Sequence, residues 1–261
     1  MEQNVRNEIV RVTYPVLRSS LNTLTARESL IFMKYLATIP ANPKTPDERT
    51  AHFTLKELQD LLGANVTRED ISKCLKHLSD KKIKVPMQAC DRTKEGQKEL
   101  QDDGNLVWFV PLLMRAESKD KSVFAVRLLE ELVPAVSARL QRYAVTSISD
   151  LQYLKGSPRA QALHRFLLMH HFNACVKWPD VSGGEIEVDI ETLREELGMT
   201  GKSYDNFGAF HRELKKASVA VNQTYIKHSF EPGKKKPGTH EVSTLVFTYY
   251  SNPLSADATS D

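Results

Sequence analysis

The sequence predicts an α+β protein in which one unit of helices and strands occurs twice. The chain has 261 residues, which suits two domains, and 41% of them are hydrophobic, which is enough for two cores. The segments 53–65 and 188–200 align without gaps. We therefore expect two domains of one architecture. Their expected bounds are 9–140 and 147–251, with mobile tails at 1–8 and 252–261.

The two aligned segments share an apolar pattern and a final glycine. The matched pairs are Phe53/Val188, Leu55/Ile190, Leu58/Leu193, Leu62/Leu197 and Gly63/Gly198. Thr54 and Asp189 stand at the position of a helix N-cap, and Thr54 with Glu57 fits a capping box. Each segment therefore predicts a short strand, about two turns of helix and a glycine stop.

The flanking segments repeat in the same order. A longer amphipathic helix precedes each copy: one over 25–38, opened by a Thr25/Glu28 capping box, and one from Ser157-Pro158 to about Phe172. A further helix follows each copy, and then strand-like runs follow. The later helices are expected at 68–79 and 205–222, and the strand-like runs at 83–85, 106–110 and 123–126 in the first copy and at 224–230 and 242–250 in the second.

This order of elements is that of a winged helix, a helix-turn-helix with a β-hairpin wing. Polar stretches at Gln88–Asn105 and Glu231–His240 fit the tips of the two wings. The join between the domains is expected at Ser137–Ser147. The predicted fold is therefore two tandem winged-helix domains.

The helix at 207–222 carries the strongest functional signal. Its apolar residues recur at intervals of three and four, and its other face is polar or basic. The inner stripe is Phe207, Phe210, Leu214, Ala217 and Val221, and the opposite face carries Asn206, Arg212, Lys215, Lys216 and Val219. The surrounding segment 201–240 holds eight Lys and Arg residues and three acidic ones. Such a helix suits the major groove of DNA, where lysines neutralise phosphates and arginine reaches guanine.

The candidate DNA-binding residues fall into three groups. Those on or before this helix are Lys202, Ser203, Tyr204, Asn206, His211, Arg212, Lys215 and Lys216. Those on the second hairpin are Lys227, His228, Lys234, Lys235 and Lys236. Those of the first domain are Lys73, Lys76, Lys81 and Lys82. The helix at 68–79 mixes both signs of charge, so solvation or protein contact is favoured there over base reading.

No pattern of residues predicts catalysis, a metal site or a cofactor. Gly183-Gly184 leads into an acidic strand rather than a phosphate-binding loop, and the cysteines and histidines lack zinc spacing. The three scattered cysteines are typical of a reduced cytoplasmic protein, and no apolar run is long enough to cross a membrane. We expect a cytoplasmic protein that is not an enzyme.

Three blocks in order resemble the iteron-binding plasmid replication initiators of the Rep_3 type. They are Leu21–Ala37, Ile186–Gly198, and Tyr204–Ala217 together with Asn222. The resemblance implies a protein that binds repeated origin sites as a monomer and represses its own gene as a dimer on an inverted repeat. It also implies contacts with the host initiator and the replicative helicase, without nucleotide hydrolysis. The location it implies is the bacterial cytoplasm, in association with the nucleoid or a plasmid.

The resemblance further implies unequal domains. The C-terminal domain supplies the main DNA reading, and the N-terminal domain supplies the dimer interface and additional backbone contacts. Two other functions fit the same residues: a winged-helix transcriptional regulator without initiator activity, and an adaptor whose winged helices bind proteins.

Overall fold

A computed structural model of the chain divides into two units, residues 1–155 and 156–261. The residues that the structure describes are 9–13, 24–40, 43–80, 82–86, 107–111, 113–117, 122–133, 143–177, 182–239 and 241–251.

Unit 1 contains four α-helices and seven strands within the described ranges. The helices are α1 (Ala26–Thr38), α2 (Leu55–Leu62), α3 (Arg68–Asp80) and α4 (Ile148–Tyr153). The strands are β1 (Ile9–Thr13), β2 (Thr50–Thr54), β3 (Lys82–Pro86), β4 (Val107–Pro111), β5 (Leu113–Glu117), β6 (Val123–Leu128) and β7 (Tyr143–Ser147). They form an antiparallel sheet in the order β2-β6-β5 and two separate ribbons, β3-β4 and β1-β7.

Unit 2 contains three α-helices and one three-stranded antiparallel sheet within its described residues. The helices are α5 (Pro158–Lys177), α6 (Ile190–Glu196) and α7 (Phe207–Val221), and a short 3-10 helix spans Lys202–Tyr204. The strands are β8 (Gly183–Asp189), β9 (Ile226–Pro232) and β10 (Thr244–Ser251), in the order β8-β10-β9. The order of elements is that of a winged helix, as the sequence predicts.

The predicted repeat and its caps are confirmed. Thr25 with Glu28 and Thr54 with Glu57 form capping boxes, in which each side chain bonds the other residue's backbone N–H. Gly198 has a φ of +65°, and the N–H groups of Gly198 and Met199 donate back to the carbonyls of Glu195 and Arg194. This pair of bonds ends α6 and requires the left-handed backbone that glycine adopts without strain.

The predicted runs 83–85 and 106–110 pair as β3–β4, so a hairpin flanks Gln88–Asn105 as expected, but it is not the equivalent of the second wing. The sheet order β2-β6-β5 matches β8-β10-β9, so the hairpin equivalent to the second wing is β5–β6. The ribbon β3–β4 is an addition between α3 and that hairpin, and residues 88–105 lie outside the described ranges. Strand β5 has little alternation to reveal it, because Leu113 is buried while the next three side chains are exposed.

The boundary between the units also differs from the expected join at 137–147. Strand β7 pairs with β1, from Ile9 opposite Ser147 to Thr13 opposite Tyr143, and α4 packs against α1. Residues 143–155 therefore complete unit 1, and unit 2 begins at Gly156 rather than at Ser147.

The core of unit 1 closes around Tyr35. Its hydroxyl donates to the carbonyl of Arg49 at 2.6 Å and accepts from the N–H of Leu128 at 2.9 Å. Burial raises the pKa of Tyr35, so the hydroxyl stays protonated and keeps its donor. These two bonds connect α1 to the start of β2 and to the end of β6. Phe53 of β2 is paired with Phe124 of β6 in the same sheet.

Candidate nucleic-acid interface

Helix α7 is held on one side by α5 and β9. Its buried residues Phe210, Leu214, Ala217 and Val221 confirm four of the five predicted positions of the inner stripe. Phe207, the fifth, is half-buried. The first turn is fixed by Asn206, whose Oδ1 accepts from the N–H groups of Gly208 and Ala209 at 2.7 and 3.3 Å.

The opposite side of α7 is exposed and cationic. Arg212, Lys215, Lys216 and Val219 all lie on it, and all four are exposed. Among the residues that the structure describes, neither Arg212 nor Lys215 has an ion-pair partner. These two side chains are therefore available to a polyanion.

Glu213 occupies the edge of this face and binds two cations. Its Oε2 accepts from Arg159 Nη1 at 2.7 Å, and its Oε1 accepts from Lys216 Nζ at 2.7 Å. The hydrogen bond from Lys216 and the charges of Lys216 and Arg159 lower the pKa of Glu213. Lys216 is thus partly neutralised, unlike Lys215.

The residues before α7 are divided between the surface and this cluster. Lys202 and Ser203 are exposed. Tyr204 is half-buried beneath Arg159, whose guanidinium carbon lies 5.0 Å from the ring centroid and whose Nη2 donates to the tyrosine hydroxyl. The main role of Tyr204 is therefore to pack against Arg159. Nothing in the spacing of the sequence pairs Arg159 with Tyr204 and Glu213, which are 45 and 54 residues away.

Two candidate histidines pack inside unit 2. His228 is only 7% exposed, and its Nε2 lies 2.5 Å from the Ser218 hydroxyl. Burial lowers its pKa to about 4, so it is neutral at physiological pH. It is a core residue, and its prediction as a DNA contact is corrected. His211 is half-buried between the rings of Phe207 and Phe230, at centroid distances of 5.5 Å from each.

The C-terminal end of α7 is bonded to β9. The Asn222 side chain accepts from the N–H of His228 at 2.8 Å and donates to its carbonyl at 3.0 Å. Lys227 Nζ donates to the carbonyl of Asn222 at 2.6 Å, where a helix presents partial negative charge. Lys227 is therefore a cap of the helix as well as a surface cation. These bonds fix α7 against the strand that leads to the wing.

The wing lysines are exposed, and two of the three are paired. Lys234 Nζ lies 2.7 Å from Glu187 Oε2, and Lys236 Nζ lies 3.0 Å from Glu241 Oε2. Lys235 pairs through its backbone with Val242. Exposed pairs of this kind contribute little stability, so little is lost when a phosphate replaces the carboxylate.

The candidates of unit 1 are less concentrated. Lys73 and Lys76 are exposed on α3, while Lys81 and the side chain of Lys82 lie outside the described residues. The sequence reading missed Arg115, because β5 was not predicted. Its Nη1 approaches the hydroxyl of Ser72 on α3 at 3.3 Å, which places one more exposed cation beside that helix.

The described ranges contain neither a metal-binding cluster nor a membrane-spanning helix. No cluster of three or more His, Cys, Asp or Glu residues there could hold a metal ion. None of the helices in that part of the chain is long and apolar enough to span a membrane.

Comparisons with known proteins agree with this geometry. A family model described as "Initiator Replication protein, WH1" matches residues 9–168. The crystal structure of the Pi initiator protein in complex with iteron DNA resembles the chain with a TM-score of 0.70 at 16% sequence identity. That likeness covers 95% of this chain and 99% of the other, and it confirms the predicted fold class. A search of curated proteins found no significant match.

Proposed function

Since this chain belongs to the family of initiator replication proteins, whose WH1 model matches residues 9–168, we propose that it starts plasmid replication by binding the direct repeats of an origin. The family consists of DNA-binding initiators rather than enzymes. In the proposed complex α7 lies in the major groove, and the β9–β10 hairpin lies along the backbone.

One observation carries the proposal. Helix α7 buries Phe210 and Leu214 while Arg212 and Lys215 on its outer side are exposed and without ion-pair partners in the described chain. A helix that is packed against its own domain on one side and carries unpaired cations on the other presents hydrogen-bond donors to phosphates and to guanine. The Pi initiator, which resembles the chain in fold, was crystallised on iteron DNA, and this supports the same use of the fold here.

The finer parts of the proposal follow the family resemblance. The chain binds each repeat as a monomer, with unit 2 as the main reader and Lys73 and Lys76 of unit 1 in contact with the backbone. As a dimer formed through unit 1 it binds an inverted repeat and represses its own gene. The host initiator and the replicative helicase are its protein partners at the origin.

Binding to a duplex that carries one direct repeat from beside the gene tests the reading helix. Arg212→Ala should weaken binding by roughly 5- to 150-fold, the equivalent of about 1–3 kcal/mol for a base contact, and Lys215→Ala should weaken binding to all sequences alike. Lys215→Ala should also reduce the slope of log affinity against log salt by about one. Lys216→Ala should have the smallest effect, because Glu213 already neutralises part of its charge.

The decisive measurement is the affinity of a triple variant in which Arg212, Lys215 and Lys216 are all replaced by alanine. If it binds the repeat as tightly as the wild type while remaining folded, α7 does not read DNA. Lys56→Ala on α2 is a matched control, since it removes an exposed cation from unit 1 outside the proposed interface.

Initiation is separated from plain regulation by a replication assay. The protein, supplied from a second replicon, should maintain a plasmid that carries only the origin repeats and the adjacent AT-rich tract. A chain that binds the repeats but cannot maintain that plasmid in a permissive host is a transcriptional regulator instead.

A further inference from the structure

Val219 is an apolar side chain on the cationic side of α7. It is 67% exposed, although it lies on the same helix as the fully buried Phe210, Leu214 and Val221. Single exposed apolar residues are common in soluble proteins, so exposure alone indicates nothing. Its position relative to the exposed cations is what distinguishes it.

Val219 and Arg212 lie on one line along α7. They are seven residues apart, which is two turns less about 20° and a rise of about 10.5 Å. This line runs on the side opposite to Phe210 and Leu214, where the helix meets the rest of the unit. Lys215 and Lys216, four and three residues before Val219, flank the line on either side.

Across the exposed side of α7, Arg212 and Val219 therefore lie along the centre, and Lys215 and Lys216 lie along the two edges. When such a helix enters the major groove, its outermost line meets the edges of the bases, and its flanks meet the phosphates of the two strands. Lysines on the flanks suit phosphates, and Arg212 on the line suits guanine. Val219 has neither donor nor acceptor, so it can recognise only an apolar group on a base edge.

The major groove presents one such group, the 5-methyl of thymine. We propose that Val219 is a specificity-determining residue that packs against the methyl group of a thymine in the repeat. The inference deepens the proposed function and rests on it, because it concerns the same helix in the same groove.

The side chain is well prepared for this contact. Valine in a helix has one strongly preferred χ1 rotamer, so little side-chain entropy is lost on binding. The turn that carries it is fixed from both sides, by the Ser218–His228 hydrogen bond and by the bonds of Asn222 to β9. A contact one methyl group wide needs such a fixed support.

Uracil substitution tests the contact directly, because deoxyuridine removes the 5-methyl group and leaves the base pair unchanged. The probe is a synthetic duplex with one direct repeat of the origin, in which each thymine is replaced in turn. At one or two positions the wild type should bind the uracil duplex about three- to fivefold more weakly, as burial of one methyl group implies. Val219→Ala should bind both duplexes within about twofold of each other at those positions.

Arg212→Ala is the matched control. It should weaken binding to every duplex, yet keep the uracil penalty at the same positions, because it leaves Val219 in place. Val219→Ala is expected to remain folded, since alanine is the better helix former and the site is exposed; thermal unfolding checks this.

Each other outcome overturns the inference. If the wild type binds the repeat but no uracil substitution weakens it, Val219 reads no methyl group, and the proposed function stands. The inference also fails, and the proposed function stands, if Val219→Ala binds the uracil duplex as much more weakly as the wild type does. It fails likewise if the main effect of Val219→Ala is a change in the mass of the protein measured by sedimentation, because the face would then contact a second copy. If the wild type does not bind the repeat, the inference and the proposed function fail together.

Discussion

Glu213 and Lys216 lie three residues apart on α7 and form an ion pair of 2.7 Å at the edge of the cationic side of the helix. Arg159 reaches the same carboxylate from the start of α5. The acid therefore offsets part of the positive charge beside the proposed groove contact, and DNA must compete with it for two cations.

Removal of the Glu213 charge should strengthen DNA binding. In Glu213→Gln, Lys216 and Arg159 are released and a repulsion from phosphates is lost, so affinity for any duplex should rise by roughly two- to fivefold, with a steeper salt dependence. Titrations from about 50 to 200 mM salt measure both effects.

Glu185→Gln is the control for this change, because it makes the same charge difference on an exposed residue of β8. An equal gain in both variants would mean that only net charge matters. A loss of affinity in a folded Glu213→Gln protein would mean that the carboxylate positions its partners for DNA.

The Tyr35 hydroxyl should contribute measurably to the free energy of unfolding. Tyr35→Phe removes one oxygen and leaves the carbonyl of Arg49 and the N–H of Leu128 with one fewer partner in a buried site. The free energy of unfolding should fall by about 1–3 kcal/mol, measured by urea unfolding of the full chain. Tyr250→Phe, at an exposed tyrosine of β10, should change it by less than about 0.5 kcal/mol.

Two adjacent glycines should respond differently to alanine. A Cβ on Gly183 would lie 2.3 Å from the carbonyl oxygen of Tyr249 on the paired strand, whereas a Cβ on Gly184 would meet only a side chain, at 3.4 Å. Gly183→Ala should therefore lower stability by about 1–3 kcal/mol by forcing β8 and β10 apart. Gly184→Ala should be close to neutral, and equal losses in thermal unfolding would contradict this account of the pair.

Acid should destabilise the chain through two buried histidines of unit 2. Burial lowers the pKa of His228 to about 4 and that of His164 to about 3. Both are neutral when folded but take up a proton on unfolding below about pH 6.5. Above that pH the two histidines leave the free energy of unfolding unchanged. Below it they lower this free energy by up to about 1.4 kcal/mol per pH unit each, down to about pH 4 for His228 and about pH 3 for His164.

Substitution of His164 should flatten this dependence. Neither ring nitrogen of His164 has a hydrogen-bond partner within the described chain, so an apolar replacement such as His164→Leu leaves no polar group behind. Urea unfolding at about pH 7 and about pH 5 should show a smaller difference for this variant than for the wild type. An undiminished difference would place the acid sensitivity elsewhere.

Much of the fold could be predicted from local patterns. The repeat, the caps at Thr25 and Thr54 and the buried stripe of α7 depend on residues a few positions apart, and periodicity reveals these. Strand β5 could not be predicted, because only Leu113 of its first four residues is buried. The place of β7 in unit 1 depends on pairing with β1, about 130 residues earlier, which no local pattern contains.

The candidate interface divides in the same way. The exposure of Arg212, Lys215 and Lys216 follows from the helical period. The side of β9 that His228 faces also follows from a local pattern, because His228 alternates in phase with the buried Ile226. Its hydrogen-bond partner, the Ser218 hydroxyl, lies on α7, and strand alternation does not reveal that partner. Charge counts likewise could not reveal that Glu213 neutralises Lys216 and Arg159.

The β1–β7 ribbon has a consequence for synthesis of the chain. Its two strands are separated by most of unit 1, so Ile9 leaves the ribosome long before Ser147, its partner, has been made. At about 5–20 residues per second, the interval is roughly 7–28 seconds. During that time β1 has an unpaired edge, which invites pairing with other nascent chains. Unit 1 should therefore complete its fold late in translation, and chains that stop before residue 147 should depend most on chaperones.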